Sequence, residues 1–162
     1  MFKLDTIGTE TVLHTFTGGA DGGYPEGDLI QDPAGNLYGT TTKGGMPGWG
    51  VVFKLDTAGA QTVLHSFTER DGATPVAGLA RDSASNLYGT TIDGGFGDGT
   101  EGFGVVFKVD SAGTETILHT FTANADGAHP YGGLVQDSAG NLYGTTNHGG
   151  SYYSGTVFKI EP

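Results

Sequence analysis

Five histidines, eighteen carboxylate side chains and a set of aromatic rings are the groups through which this 162-residue chain could do chemistry. Cysteine is absent, which removes thiol nucleophiles, disulfides and Cys-ligated zinc together. A catalytic constellation needs unlike groups converging on one point, and most of these groups instead recur at one place. His14, His65 and His119 all stand in Leu-His-[Thr/Ser]-Phe. A residue repeated in this way is read as structural, satisfying a backbone carbonyl or a polar group of the neighbouring unit. Asp32, Asp82 and Asp137 each precede an Asn by four residues and are read as turn-formers. Lys3, Lys54, Lys108 and Lys159 form a repeated, solvated strand face. His129 and His148 fall outside the repeats but have no acid partner at a fixed spacing. Asp93, Asp98 and Glu101 supply the oxygen ligands calcium uses, without the spacing of a calcium loop. There is no G-x-S-x-G elbow, HExxH, P-loop or paired-carboxylate motif. The expectation is a protein with no catalytic residue, no metal and no cofactor.

The aromatics are more suggestive. Tyr24, Trp49, Phe96, Phe103, Tyr131, Tyr152 and Tyr153 lie in glycine-rich, unequal segments such as Lys43–Gly50, Asp93–Gly104 and His148–Gly155. Flat rings presented on loops suit stacking on sugars or gripping a peptide. Plugging gaps between packed sheets is the competing role. Tyr24, Trp49, Phe103, Tyr131, His148, Tyr152 and Tyr153 are therefore the ligand-binding candidates, with Trp49 and the Tyr152–Tyr153 pair foremost.

The elements that must position these residues are set by repetition. Phe-Lys-Leu-Asp at Phe2 recurs from Phe53, as Phe-Lys-Val-Asp from Phe107 and as Phe-Lys-Ile-Glu from Phe158. Asn-Leu-Tyr-Gly-Thr-Thr begins at Asn36, Asn86 and Asn141, each followed by a Gly-Gly pair. The chain reads as one domain, with units of approximately 2–52, 53–106 and 107–157 and a partial extra strand over 158–162. Each unit contains four short strands, A to D. In the last copy these include A over Gly133–Asp137, B over Leu142–Thr146 and C over Thr156–Ile160. Strand D is seen in the preceding copy over Glu115–Thr122. Asp-x-x-Gly-Asn joins A to B and Asp-x-x-Gly joins C to D, both with turn chemistry. No helical period survives the interruptions by Gly and Pro, so the chain is all-β.

Four antiparallel strands in 40 to 50 residues form the unit of a β-propeller blade. The run D-x-[AG]-x-N-L-Y-G-T-T, then G-G, then G-x-V-F-K-[LV]-D and V-L-H-[TS]-F, resembles the bacterial GloVer tandem repeat. Proteins carrying it are called choice-of-anchor tandem repeat proteins. The pattern is also similar to blades of regulator-type and NHL propellers. The resemblance covers nearly the whole chain and implies a propeller-like protein of the cell surface or extracellular space. It carries over no catalytic residue.

Glycine at 31 of 162 residues without a G-X-Y period excludes collagen, and 16 Phe and Tyr residues with one Trp argue against an acidic disordered tail. A net charge of −11 argues against a nucleic-acid partner. No apolar run approaches a membrane span, and the opening residues do not read as a secretory signal.

Strand order C-D, A-B-C-D, A-B-C-D, A-B-C supplies at most three blades, whereas closed propellers have four to eight. Ring completion by self-association is therefore expected. A homodimer of six blades is favoured, and a homotrimer of nine is the larger option. The rival architecture is a monomeric three-fold β-trefoil or β-prism. The functional expectation is a non-enzymatic repeat scaffold that binds a glycan or peptide through its B–C and D–A loops. A purely self-assembling structural module is the alternative, and a propeller hydrolase or lyase is disfavoured for want of an asymmetric polar cluster.

Overall fold

A computed structural model describes residues 1–95 and 102–162. It contains thirteen strands and, among the described residues, no helix. Strands β1 (Phe2–Leu4) and β2 (Glu10–Val12) form a hairpin. Strands β3 (Ile30–Gln31), β4 (Leu37–Thr41), β5 (Val51–Leu55) and β6 (Gln61–Ser66) form the first full sheet. Strands β7 (Ala80–Arg81), β8 (Leu87–Thr91), β9 (Val105–Val109) and β10 (Glu115–Thr120) form the second. Strands β11 (Val135–Gln136), β12 (Leu142–Thr146) and β13 (Thr156–Ile160) close the series. Every pairing is antiparallel between sequence neighbours, so the sheets are meanders of the order C-D, A-B-C-D, A-B-C-D, A-B-C. This is the strand order that the repeats predict.

Two differences from the expected strands have physical causes. The A strands are only two residues long. Their flanking glycines sit where adjacent blades crowd together: a Cβ on Gly27 would lie 2.5 Å from the Ala77 carbonyl oxygen, and one on Gly78 3.1 Å from Asp28. Strand D does not alternate cleanly either. Its register slips at Leu64 and again at Leu118, an extra residue that turns His65 and His119 relative to the strand below.

The core lies between sheets, not within one closed barrel. Along β5, Val51, Phe53 and Leu55 point to the preceding sheet and Val52 to the following one, as period-two alternation requires. The junction of the two full blades buries Val52 and Phe67 of one with Leu79, Leu87, Val105, Phe107 and Val109 of the other. The next junction buries Tyr88, Val106 and Phe121 against Leu134 and Leu142. A Phe–Phe edge contact marks every junction: Phe16–Phe53, Phe67–Phe107 and Phe121–Phe158, each with centroids 5.1 Å apart.

Candidate functional site

Meander topology puts the A–B and C–D turns at one end of the blades and the B–C and D–A connections at the other. At the second end, the bridges Gly23↔Lys43, Ala73↔Asp93 and Ala128↔His148 tie each D–A loop to the next B–C loop. Tyr24, Thr74 and His129 occupy one repeated D–A position, each with a left-handed φ of 57, 57 and 51°. That conformation is uncommon for residues with a Cβ, and for β-branched Thr74 it is a strained one. It lets the Thr74 N–H donate to the Trp49 carbonyl (2.9 Å) and the His129 N–H to the Phe103 carbonyl (2.8 Å) of the blade before.

Those bonds build a cleft of about 310 Å³ lined by Trp49, Glu69, Asp93, Phe103 and His129 with small residues between them. Trp49 and Phe103 stand at the equivalent place in successive B–C loops, and each is half-buried, packed against an inter-blade core. They therefore combine the packing role with an exposed edge on the cleft. His129 donates from Nδ1 to the Ile92 carbonyl at 2.7 Å, which leaves Nε2 for a further partner. Its ring meets Phe103 and His148 edge-on, both at 5.8 Å, and Asp93 lies 3.7 Å from Nδ1. Two aromatic walls, two carboxylates and an imidazole thus converge here.

The remaining candidates disperse. Tyr24 is exposed beside Phe2 and His14 at the start of the arc. Tyr131 borders a second cleft, of about 420 Å³, with Glu26 and Asp28 where the A strands converge. Tyr152 and Tyr153 are exposed on the last B–C loop, as is His148. Phe96, Asp98 and Glu101 lie outside the described residues. The structure thus brings Trp49 and Phe103 together with His148 close by, and adds His129, Glu69 and Asp93. Composition gave no sign of Glu69 as a cleft residue; only its position two residues before the repeated Asp-Gly turn could have done so.

The repeated histidines turn toward carboxylates, and two of them, His14 and His119, bond there. Each faces the aspartate of its own D–A turn and not a backbone carbonyl: His14–Asp21 at 3.3 Å, His65–Asp71 at 3.3 Å and His119–Asp126 at 3.2 Å, and His65 also lies beside Glu115 of the following blade. At the opposite end, Asp32, Asp82 and Asp137 cap the A–B turns. Asp82 accepts the Asn86 backbone and side-chain N–H groups (2.8 and 2.7 Å) and the Tyr88 hydroxyl (3.0 Å). At Asp32 the equivalent set, led by the Asn36 side-chain amide, holds the carboxyl down at about 2. At this end the repeated carboxylates are taken up by turn bonds, and Asp82 and Asp137 border a polar cleft of about 650 Å³ with Lys108 and Glu161, whereas the aromatic cleft lies at the loop end.

The Gloeobacter/Verrucomicrobia repeat matches residues 1–162. The chain belongs to that family. No curated protein matches it. Among solved structures, the chain is similar to a candidate gluconolactonase determined by X-ray crystallography, at 18% identity and a TM-score of 0.52. The match covers 98% of the Gloeobacter/Verrucomicrobia repeat chain and 55% of the other, so this chain spans about half of that β-propeller's length. At that identity the likeness shows the fold alone. It places the blades in a propeller, not in a trefoil or prism.

Proposed function

We propose that this arc of β-propeller is a scaffold that binds a carbohydrate at the loop-end cleft. The observation that carries the reading is the convergence of Trp49 and Phe103 with Glu69, Asp93 and His129 around about 310 Å³. Sugars present apolar C–H faces rimmed by hydroxyls, and such a cleft supplies rings for the faces and acceptors for the rim. The size is at the lower end of ligand pockets, suiting one or two sugar units. An extended peptide is the other ligand class such rings accommodate. Trp49 is the sole tryptophan, so its fluorescence reports on the cleft directly. Titration with a panel of oligosaccharides is expected to give a saturable change that Phe103→Ala weakens. Saturation by unrelated peptides but by no sugar would overturn the carbohydrate assignment.

A second reading is self-assembly into a closed ring, and the end faces of the arc favour it. Phe2 is 59% exposed whereas its equivalents Phe53 and Phe107 are fully buried. At the other end Val157 is 81% exposed whereas Val52 and Val106 are fully buried. The two readings are compatible, since a ring leaves the loop ends open.

A further inference from the structure

The junction between the two full blades carries a polar trio that its neighbours lack. His65, at the end of β6, and Asp71, in the following turn, come from one blade; Glu115, which opens β10, comes from the next. The ligand-competent atoms of all three lie within 4.8 Å of one another. His65 Nε2 and Glu115 Oε1 are each shut off from solvent and have no hydrogen-bond partner. Nε2 is 3.3 Å from Asp71, yet misaligned for the bond that His14 makes to Asp21 and His119 to Asp126. The preceding junction shows what a filled version looks like. There Gln61 takes the place of Glu115, and its amide donates to the Asp21 carbonyl at 3.1 Å. Substituting Glu for Gln removes that donor and puts an acceptor among acceptors.

His65 Nε2 has Asp71 at 3.3 Å without an aligned bond and Glu115 Oε1 has no partner, and two carboxylates meeting an imidazole at a half-buried seam are costly unless a positive charge joins them. We infer that His65, Asp71 and Glu115 form a divalent transition-metal site of the zinc class, which clamps the two blades together. One imidazole nitrogen and two carboxylate oxygens are a donor set zinc accepts, with water completing the tetrahedron. Bonds of about 2.0–2.2 Å require the three groups to close by roughly an ångström, within the reach of side-chain rotation. Oxygen-only calcium chemistry does not suit the imidazole. Metal ligands bind in their deprotonated forms, so uptake strengthens as pH rises.

The test is metal uptake by the full chain after stripping with chelator. Calorimetry with zinc at pH 7.5 is expected to saturate at one ion per chain, with weaker binding at pH 5.5. Cobalt substituted at the same stoichiometry should give the visible spectrum of a tetrahedral ion. Glu115→Gln, which copies the natural Gln61 arrangement, should weaken zinc by more than the roughly 10–100-fold that losing an outer-shell partner costs. Its melting without metal, monitored by circular dichroism, checks that it folds. Gln61→Glu completes the same trio at the preceding junction and should raise the count to two. Absence of saturable uptake, or uptake that Glu115→Gln and His65→Gln leave unchanged, overturns the assignment; in the latter case the ion sits elsewhere, for example on the exposed His148.

Discussion

Each residue of Asn-Leu-Tyr-Gly-Thr-Thr does a separate job, and the glycine shows how tight the fit is. In the second blade Asn86 and Tyr88 bond Asp82 across the A–B turn, while the Leu87 side chain enters the core. The Thr90 hydroxyl donates to the Gly132 carbonyl of the next blade (3.2 Å), and that of Thr91 to the Asp93 carbonyl within its own (2.8 Å). Gly89 pairs in register with Phe107. A Cβ there would lie 2.5 Å from the end of the Phe107 ring and 2.9 Å from a Leu79 methyl. The glycine is therefore a seat for the phenylalanine of Val-Phe-Lys, and the two motifs recur together because one is shaped to the other. Gly89→Ala should destabilise the chain by about 1–3 kcal/mol, as overpacking in dense cores does. Denaturant melts would read this as a lower midpoint at unchanged slope. Little of it was visible in the sequence beforehand. Repetition marked the motif as part of every unit, but which atom meets which depends on register and on the following blade.

At the scale of strands, the sequence was most informative where periodicity and turn chemistry agree. The bounds of β12 and β13 fall where Leu142–Thr146 and Thr156–Ile160 placed them. Alternating side chains between Asp-x-x-Gly turns admit no competing pairing. Strand D misled because its alternation hides a bulge: Leu64 and Leu118 are apolar at positions where a straight strand would also want an apolar residue. The bulge sends Leu64 to the core and His65 toward Asp71, and no residue type in the strand announces it. The candidate site was legible to the same extent. Loop length identified the end, but convergence of Trp49 with His129 depends on left-handed turns at Thr74 and His129, which look like ordinary Thr-Pro and His-Pro pairs. Strand D also sets the energetics of blade stacking through its closing phenylalanine. Phe67 is fully buried with blades on both sides, while Phe16, its equivalent in the hairpin, is half-buried. Phe67→Ala is expected to cost about 3–5 kcal/mol. Phe16→Ala should cost clearly less, because its ring never leaves water completely. Paired denaturant melts of the two variants check the ordering, and equal costs would mean that the hairpin is packed as firmly as an interior blade.

At the scale of the whole molecule, the arc carries the same pair of complementary faces at its two ends that it buries twice inside. The last blade presents Val135, Tyr143 and Val157 outward, the positions that in the second blade are Ala80, Tyr88 and Val106 and cover the next sheet. The first hairpin presents Phe2 and Leu4, the counterparts of Phe53 and Leu55, which a preceding sheet covers. A contact of the last face with the first is head-to-tail, and such contacts close into a ring or run on as a filament. Three A strands per chain allow six blades in two copies, within the four to eight of closed propellers, so closure at two is the outcome expected. The strand order adds a constraint. Both β1 and β13 carry the C-strand motif, so at each seam one of them must yield or the joined blade must take a fifth strand. Yielding of β1 would let β2 pair with β13 in the way β10 pairs with β9, and the outward face of the last blade would then cover the first full sheet in place of Phe2 and Leu4. The isolated 162-residue chain is therefore expected to sediment at twice its 16.6 kDa at micromolar concentration. Val157→Lys should return it to the mass of one chain without unfolding it, because the side chain is 81% exposed before association. The charge would be harmless in water and costly at a seam where Val52 and Val106 are fully buried. A wild-type chain that stays at 16.6 kDa under these conditions would show that the end faces tolerate water and that ring closure by a second copy does not occur.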